Sequence, residues 1–324
     1  FCPKFSYSMI ILDECPTQIS DVQTVITIGT FDGVHKGHQK ILRHLEEIKK
    51  QKNLKSIVFT FHPHPRKIIQ QDYKSDIKLL TTKSEKIQLL QKFDIDYLLF
   101  CPFTKEFSEI EPEKFVQYLA EHLNIKHIII GYDHRFGKDR KGDITTFLRL
   151  KEKYKFEVEQ ISAETINEIN VSSTKIRQYL LNGDIQKANA LLGYNYFITG
   201  KVVEGKKLGR QIGIPTANIC VDDKDKLIPA NGVYCVYVKV QNKIYNGSMN
   251  IGFNPTIDTN QEEKLEVHIL NFNEDIYYQD IQIYFNQRIR DEKKFNSLEE
   301  LKDQIVQDIE RCKSDTYSNF HFIL

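Results

Sequence analysis

Residues 29–38, which read GTFDGVHKGH, carry the clearest signature of chemistry in this chain. They place three glycines, an aspartate and two histidines between an apolar run at 25–28 and a helical pattern. Glycine lets the backbone approach a ligand closely, and a helix start offers free N–H groups and a positive dipole end that suit phosphate. His35 and His38 are three residues apart and so fall on one side of a helix entry. The segment predicts a nucleoside triphosphate site that stabilises charge on a phosphorus under attack.

Two loops with unusual composition also follow apolar strand patterns. His62-Pro63-His64-Pro65 contains two His-Pro pairs, and proline restricts the residue before it to extended forms, so we expect a stiff loop. Its shape and rings favour packing against a flat ligand ring over metal binding. The second loop, 131–137, holds Asp133 and Arg135 between glycines, which suits a ribose, an adenine or a phosphate.

A third segment, Ser172-Ser173-Thr174-Lys175-Ile176-Arg177, has the composition of a helix start. Serine and threonine at a helix N-cap need no function beyond capping. Arg177, however, lies one turn inside the predicted helix at 174–181, where its guanidinium can hold the β- and γ-phosphates with two hydrogen bonds. The segment therefore fits either a plain cap or a phosphate site.

The second half of the chain has its own cluster of glycines and oxygen ligands. Gly205, Gly209 and Gly213 are spaced by four with Arg210 between them, and Pro215-Thr216-Ala217-Asn218 follows. Thr216 and Asn218 are two apart, so their side chains share a face in extended chain. A hydroxyl and an amide carbonyl are hard oxygen ligands that suit a magnesium ion keeping several waters. The alternative is an ordinary loop with capping residues.

Glu266 interrupts an apolar strand pattern at 264–270. Leu265, Val267 and Ile269 form a predicted core face, which leaves Glu266 and His268 on the opposite face. A carboxylate there is either a solvent-facing side chain or a functional group, and the pattern alone favours the first.

The elements that must position these residues differ between the halves. Strand patterns at 24–28, 56–61, 95–101, 127–131 and 156–161 alternate with helix patterns at 38–50, 83–92, 112–123 and 144–154. Such alternation predicts a parallel sheet with covered faces. Because ligands bind beyond the carboxyl ends of such strands, we expect the GTFDGVHKGH segment and both loops to converge on one rim.

From about residue 195 short strand patterns dominate, at 197–203, 232–240, 243–251, 264–270 and 281–290. Repeated strands with Gly and Asn turns predict an antiparallel barrel. A capping box, Ser297-Leu298-Glu299-Glu300, opens a terminal helix. We place the domain boundary at 186, giving domains 1–186 and 187–324.

Composition excludes several classes of protein. The 324 residues carry 45 basic and 44 acidic side chains, a net charge of +1, so no broad field recruits nucleic acid or a membrane. No run is long enough for a membrane span, and no basic region precedes an apolar core as in a signal peptide. The six cysteines are scattered without a CxxC pair. This pattern argues against a disulfide framework or a structural zinc site and fits a reducing cytoplasm.

The segments of the first half resemble, in content and order, the adenylyltransferase half of bifunctional riboflavin kinase/FAD synthetases. The matching elements are GTFDGVHKGH, TFxPHP, GxDxRFG and SSTxIR, with Thr30 where many relatives have Asn and His62 at a variable position. The first segment alone leaves the substrate open, because cytidylyltransferases share its GTFD and second histidine. The resemblance implies that the FMN phosphate attacks the α-phosphorus of ATP and that pyrophosphate leaves. It implies that charge on the transferring group is stabilised by His35, His38, Arg177 and Mg²⁺. The residues that it implies contact ATP are Gly29, Phe31, Asp32, Gly33, Gly37, Ser172, Ser173 and Thr174. Those that it implies contact the flavin are His62, Pro63, His64, Asp133 and Arg135.

The second half resembles the riboflavin kinase domain of the same family. The matching elements are GRQIGIPTAN, GVY from 232, NIGFNPT from 250, EVH from 266 and RDEKKF from 290. The resemblance implies that Thr216 and Asn218 bind the magnesium of Mg-ATP. It implies that Glu266 is the general base, taking a proton from the ribityl 5′-hydroxyl as that hydroxyl attacks the γ-phosphorus. The further contacts it implies are Gly205, Gly209 and Arg210 with ATP, and Arg290 and Glu292 with the flavin.

Both motif sets together, over about residues 20–312, predict a bifunctional transferase of the cytoplasm. It would convert riboflavin to FMN and FMN to FAD with Mg-ATP, as a monomer or weak homo-oligomer, with riboflavin, FMN and ATP as its only partners. One alternative is a riboflavin kinase whose first domain serves another nucleotide and substrate. Another is a flavin-binding sensor with dormant sites, against which the intact His38, Thr216 and Glu266 count.

Overall fold

The structure is a computed structural model that describes residues 9–19, 22–69, 77–132, 134–161, 171–205, 208–211, 213–253 and 263–313. The chain divides into two compact units. The first comprises Phe1–Ile77 and Lys83–Ser172, and the second comprises Lys78–Thr82 and Ser173–Leu324. This division differs from the predicted boundary at 186, because the helices after Ser172 pack with the second unit. Whether the two activities divide at 186 stays a prediction.

The first unit is built on a six-stranded parallel sheet in the order β1-β4-β3-β2-β5-β6. The chain winds outward in both directions from β2, which makes the end of β2 a topological switch point. The strands that precede the three predicted site segments, β3, β2 and β5, are neighbours, so these segments leave the same rim of the sheet. The predicted convergence is confirmed. The strands are β1 (Ile10–Leu12), β2 (Thr24–Ile28), β3 (Lys55–His62), β4 (Tyr97–Pro102), β5 (Ile125–Gly131) and β6 (Glu157–Ile161).

Helices cover this sheet and follow the predicted apolar periodicity. In α5 (Pro112–His122) proline takes the first turn, where its missing N–H costs nothing, and Phe115 and Leu119 are buried one turn apart. These side chains join a core in which Ile26, Ile57 and Ile128 of three central strands are fully buried. The other helices are α1 (Lys36–Lys52), α2 (Pro65–Ile69), α3 (Lys83–Leu90), α4 (Lys105–Ser108), a 3-10 turn (Lys138–Arg140) and α6 (Ile144–Tyr154).

The second unit is a closed six-stranded barrel in the order β10-β11-β8-β7-β12-β9, preceded by two helices and followed by one. All its strand pairs are antiparallel, as predicted. The sequence pattern indicated five of the six strands and missed the short β8. The elements are α7 (Ser173–Leu181), α8 (Ile185–Leu192), β7 (Phe197–Val203), α9 (Leu208–Gln211), β8 (Ala217–Cys220), β9 (Gly232–Val240), β10 (Lys243–Phe253), β11 (Glu263–Ile269), β12 (Asp280–Arg290) and α10 (Leu298–Lys313).

The terminal helix α10 packs on the barrel. Its start is capped as predicted, since the Ser297 hydroxyl accepts a hydrogen bond from the Glu300 backbone N–H at 3.1 Å. Ile309 packs with Ile214 and Leu270 of the barrel. The helix therefore closes an apolar face of the barrel that would otherwise lie open.

Two disulfides contradict the prediction from the cysteine pattern. Cys15 is bonded to Cys101 in the first unit, and Cys235 of β9 is bonded to Cys312 of α10 in the second. The prediction was wrong because the partners are 86 and 77 residues apart, and their proximity depends on the fold rather than on spacing. Among the described cysteines, Cys220 is free and exposed. The cysteine pattern therefore gives no support to a reducing compartment.

Candidate active sites in the two units

The segment between β2 and α1 turns tightly before the helix begins. Phe31, Gly33 and Val34 have φ of 47°, 79° and 36°, in the left-handed region that only glycine adopts easily. His35 is the N-cap of α1, and its Nδ1 accepts a hydrogen bond from the His38 backbone N–H at 3.3 Å. The turn thus aims the free N–H groups of a 17-residue helix at the rim of the sheet.

The two histidines lie together, as their spacing predicts. The rings of His35 and His38 are stacked with centroids 3.6 Å apart and planes 14° from parallel, and the Phe31 ring lies 5.1 Å from His38. Burial, helped by His35 and Lys86, holds the pKa of His38 well below its usual value. This shift favours the neutral imidazole of His38, which can donate a hydrogen bond from one ring nitrogen. The role of both histidines in stabilising charge on the phosphates stays a prediction.

A buried lysine that the motif comparison did not single out lies beside this loop. Lys86 of α3 donates from Nζ to the Thr30 carbonyl at 2.7 Å, and the Thr60 hydroxyl donates to the same oxygen at 3.1 Å. Burial lowers the pKa of Lys86 to about 8, against the opposing attraction of Asp32, which is itself buried. A cation is therefore present next to the loop, supplied by a residue 56 positions after Thr30 in the chain.

The two neighbouring loops stand at the same rim. His62 and Pro63 are exposed, and His64 Nδ1 accepts a hydrogen bond from the Arg66 backbone N–H at 3.2 Å. The exposed Arg135 forms an ion pair with Asp143 at 2.5 Å. Asp133 lies outside the described residues. The predicted flavin contacts of these loops stay predictions.

Helix α7, which begins at Ser173, belongs to the second unit. There the Arg177 guanidinium donates from Nε to the Lys78 carbonyl at 2.7 Å. Ser172, Ser173 and Thr174 lie at the start of this helix, as predicted. The role of these four residues in phosphate binding stays a prediction.

The candidate site of the second unit is assembled by strand pairing. Glu266 of β11 lies directly opposite Asn218 of β8 in the antiparallel register. Leu265 and Val267 are buried on the core face, whereas Glu266 keeps 24% of its side chain exposed and forms an ion pair with Lys264 at 2.6 Å. The predicted alternation along β11 is therefore confirmed. Cross-strand partners share a face of the sheet, so the carboxylate and the amide lie side by side.

Two of the predicted glycines are explained by close approach to these oxygen ligands. A Cβ on Gly205 would lie 2.1 Å from Asn218 Nδ2, and a Cβ on Gly209 would lie 2.3 Å from the Ile214 carbonyl oxygen and 3.2 Å from Thr216 Oγ1. Any larger residue at either position would displace the chain that carries Thr216 and Asn218.

A cavity of about 400 Å³ adjoins this chain segment. Thr216 and Arg210 line it together with segment 272–277, which the sequence motifs did not include. The Arg210 guanidinium lies 3.4 Å from the Tyr277 hydroxyl and 5.8 Å from the centre of its ring. The cavity is therefore open to a ligand that also reaches Thr216.

Arg290 and Glu292 were both predicted to contact flavin. The Arg290 guanidinium makes three hydrogen bonds to the buried Asp308 carboxylate of α10, at 2.7–3.1 Å. Glu292 lies against Gly252, where an added Cβ would meet its carboxylate at 1.9 Å. Arg290 thus ties α10 to the barrel, and the flavin contacts of both residues stay predictions.

Comparisons with known proteins match both units. A family profile described as FAD synthetase covers residues 17–175, and one described as riboflavin kinase covers residues 192–315. A bifunctional riboflavin kinase/FMN adenylyltransferase of Listeria monocytogenes is 37% identical over 93% of this chain and 94% of its own length. The chain belongs to this bifunctional family. Both catalytic domains are therefore present in one chain.

Other relatives are equally extensive. The bifunctional riboflavin kinase/FMN adenylyltransferase of Buchnera aphidicola subsp. Schizaphis graminum is 41% identical over 90% of this chain and 93% of its own length. A crystal structure described as a macrolide-efflux protein from Streptococcus pneumoniae superposes with a TM-score of 0.85 at 32% identity, over 95% of this chain and 99% of that one. In the described ranges, no helix is both long and apolar enough to cross a membrane.

Sequence reasoning missed Lys86 in the FAD synthetase domain and segment 272–277 in the riboflavin kinase domain. A signal for Lys86 exists, because it lies three and four residues before Leu89 and Leu90 and so shares the buried face of α3. A lysine on an apolar stripe is unusual enough to deserve a functional explanation. No comparable pattern marks 272–277, whose position depends on the closure of the barrel.

Proposed function

We propose that this chain phosphorylates riboflavin to FMN in its second unit and adenylylates FMN to FAD in its first, with ATP as the donor in both steps. The observation that supports this most directly is that each unit brings its own predicted phosphate-binding and catalytic residues together. The first stacks His35 on His38 at a helix start, and the second pairs Glu266 with Asn218 beside Thr216.

In the first unit, an oxygen of the FMN phosphate attacks the α-phosphorus of ATP in line, and the bond to pyrophosphate breaks. No protein nucleophile takes part, so catalysis consists of positioning and stabilisation of the transferring group. The N–H groups at the start of α1 and the neutral ring of His38 donate to phosphate oxygens.

In the second unit, the Glu266 carboxylate takes the proton of the ribityl 5′-hydroxyl as that oxygen attacks the γ-phosphorus of ATP. ADP leaves and FMN forms. Glu266 suits this role because it lies off the core face, next to Asn218, and keeps part of its side chain open to a ligand.

Thr216 and Asn218 would hold a magnesium ion through the hydroxyl and the amide oxygen. The donor set fits, because Mg²⁺ prefers hard oxygen ligands and keeps several waters when few protein ligands are available. When bound, the ion supplies charge neutralisation on the ATP phosphates. Thr216 also lines the cavity, so the nucleotide phosphates and the ion would meet at the same wall.

Measurement of co-products tests both assignments separately. Purified chain given riboflavin and Mg-ATP should release ADP and form FMN, whereas chain given FMN and Mg-ATP should release pyrophosphate and form FAD. ADP release with FMN as the sole flavin, or pyrophosphate release from riboflavin without FMN formation, would contradict the assignment of the two steps. We further infer a cytoplasmic enzyme, which cell fractionation tests.

A further inference from the structure

Lys86 is a buried cation that the proposed reaction has not yet used. It lies on α3, outside every motif that identifies the family, and is only 7% exposed. Its Nζ donates to the Thr30 carbonyl at 2.7 Å. Burying an ammonium group is costly unless it is hydrogen-bonded and offset by charge, so its position beside the GTFDGVHKGH segment requires an explanation.

The Thr30 carbonyl lies where that segment turns, and two side chains hydrogen-bond to it. It follows the end of β2 and precedes Phe31, whose φ of 47° is strained for a non-glycine residue. Lys86 and the Thr60 hydroxyl both donate to this one oxygen, from two different elements. Together they fix the peptide from which the chain turns toward the N-cap of α1.

The charge of Lys86 also acts on the groups that face it. Asp32, from the loop, attracts the ammonium, and His38, from the start of α1, has its pKa lowered by it. His35, stacked on His38, acts on His38 in the same direction. Lys86 is therefore a source of positive charge beside the loop, whereas the lowered pKa of His38 favours its neutral form.

We infer that Lys86 is a positioning residue for adenylyl transfer, which holds the Thr30 carbonyl and places a buried positive charge beside the loop that receives the nucleotide phosphates. The inference rests on the proposed FAD synthetase activity of the first unit. The ammonium acts through Thr30 and His38, and only its protonated form both donates to the carbonyl and carries the charge.

This role has a pH signature with a definite sign. The pKa of Lys86 is lowered to about 8, so the competent ammonium is present below pH 8 and is lost as the pH rises through that value. The dependence of kcat/KM reports groups of the free enzyme. FAD formation by the wild type should therefore show an alkaline decline in kcat/KM near pH 8.

The test compares Lys86→Met and Lys86→Arg with Lys83→Met, all in the full chain. Lys83 starts the same helix but is partly exposed and pairs with Asp13 at 2.6 Å, which makes Lys83→Met a matched control. FAD synthesis from FMN and Mg-ATP is measured from pH 6 to 10, with the circular dichroism spectrum and thermal unfolding midpoint of each variant as the folding control and riboflavin phosphorylation as the control for the second unit. We expect Lys86→Met to lower kcat of FAD synthesis by about 10²-fold, as misplacement of a loop does, and to abolish the decline near pH 8.

Lys86→Arg should keep more activity than Lys86→Met and move the alkaline decline to higher pH, because arginine stays charged. Lys83→Met should match the wild type. A wild-type pH profile and kcat in Lys86→Met would overturn the inference, as would equal losses in Lys86→Met and Lys86→Arg with an unmoved decline. A wild type that forms FMN but no FAD would instead refute the proposed function of the first unit.

Discussion

The candidate sites of the two units are assembled from the chain in different ways. In the first, the histidines and the helix start come from ten consecutive residues, 29–38, and the buried Lys86 is added from α3. In the second, Thr216 and Asn218 come from one segment and Glu266 from another 48 residues later, and Glu266 lies beside Asn218 only because β8 pairs with β11 in one register. The histidines of the first site are therefore brought together by local chain geometry, whereas the residues of the second site come together only when the barrel forms.

The two sites also differ in their electrostatic setting. The first is desolvated, so the pKa of His38 falls well below its usual value and that of Lys86 falls to about 8. In the second, Glu266 is partly open and paired with Lys264. Variants that remove one group from each site, with both activities measured in the same sample, show whether the sites are as independent as this contrast implies.

The largest expected effect is on the kinase. Glu266→Gln keeps size and polarity but removes the proton acceptor, so FMN formation from riboflavin should fall roughly 10²–10⁴-fold. FAD formation from supplied FMN should persist, and riboflavin binding followed by flavin fluorescence should change little. Glu299→Gln, at an exposed position near the start of α10, is the control and should leave both activities unchanged. Near-normal turnover of Glu266→Gln would show that Glu266 is a solvent-facing side chain rather than the general base.

The corresponding change in the first unit is His38→Ala. Removing one donor from the stacked pair should lower FAD formation on the order of 10²–10³-fold, while FMN formation stays near normal. His44→Ala removes a histidine from the same helix, two turns from the site, and serves as the matched control. If His38→Ala lost both activities equally while remaining folded, the assignment of separate sites would fail.

Arg290 distinguishes a structural role from a flavin contact. Arg290→Met leaves the buried Asp308 carboxylate unpaired, and removal of one partner of a buried ion pair costs about 3–5 kcal/mol. We expect that loss in urea unfolding of the riboflavin kinase domain. Lys313→Met, which breaks the exposed ion pair with Glu310 in the same helix α10, should cost no more than about 1 kcal/mol. Unchanged stability together with weakened riboflavin binding would favour the flavin contact instead.

The smallest effect is the dependence of the first unit's stability on pH. Burial lowers the pKa of His134 to about 4, so His134 takes up its proton at a lower pH in the folded state than in the unfolded chain. Stability should fall as the pH drops below about 6.5, by at most about 1.4 kcal/mol per pH unit from this group. His134→Phe should flatten the dependence between pH 6.5 and 4, read from urea midpoints. The same slope in the variant would exclude His134 as its source.

Much of the first site is readable from the sequence because its determinants are local. Glycines at a strand-to-helix crossing and histidines three residues apart predict the turn and the stacked pair, which the structure contains. Alternating helices and strands also predict that β2, β3 and β5 present their ends on one rim. In the barrel, the alternation of Leu265 and Val267 with Glu266 correctly predicts which face carries the carboxylate.

The remaining features depend on long-range packing. No local pattern places Lys86 against Thr30, pairs Glu266 with Asn218, or brings 272–277 to the cavity that Thr216 lines. The disulfide between Cys235 and Cys312 likewise requires α10 to lie on β9. Short strands such as β8 are missed because four residues give too little periodicity, although the register of β8 decides the second site.

The most direct test of two successive activities on one chain is a time course. Purified chain is incubated with riboflavin and Mg-ATP, and the flavins are separated by chromatography. The account predicts that FMN rises first and that FAD then accumulates as FMN is consumed. Accumulation of FMN without any FAD, in a chain that also fails to convert supplied FMN, would contradict it.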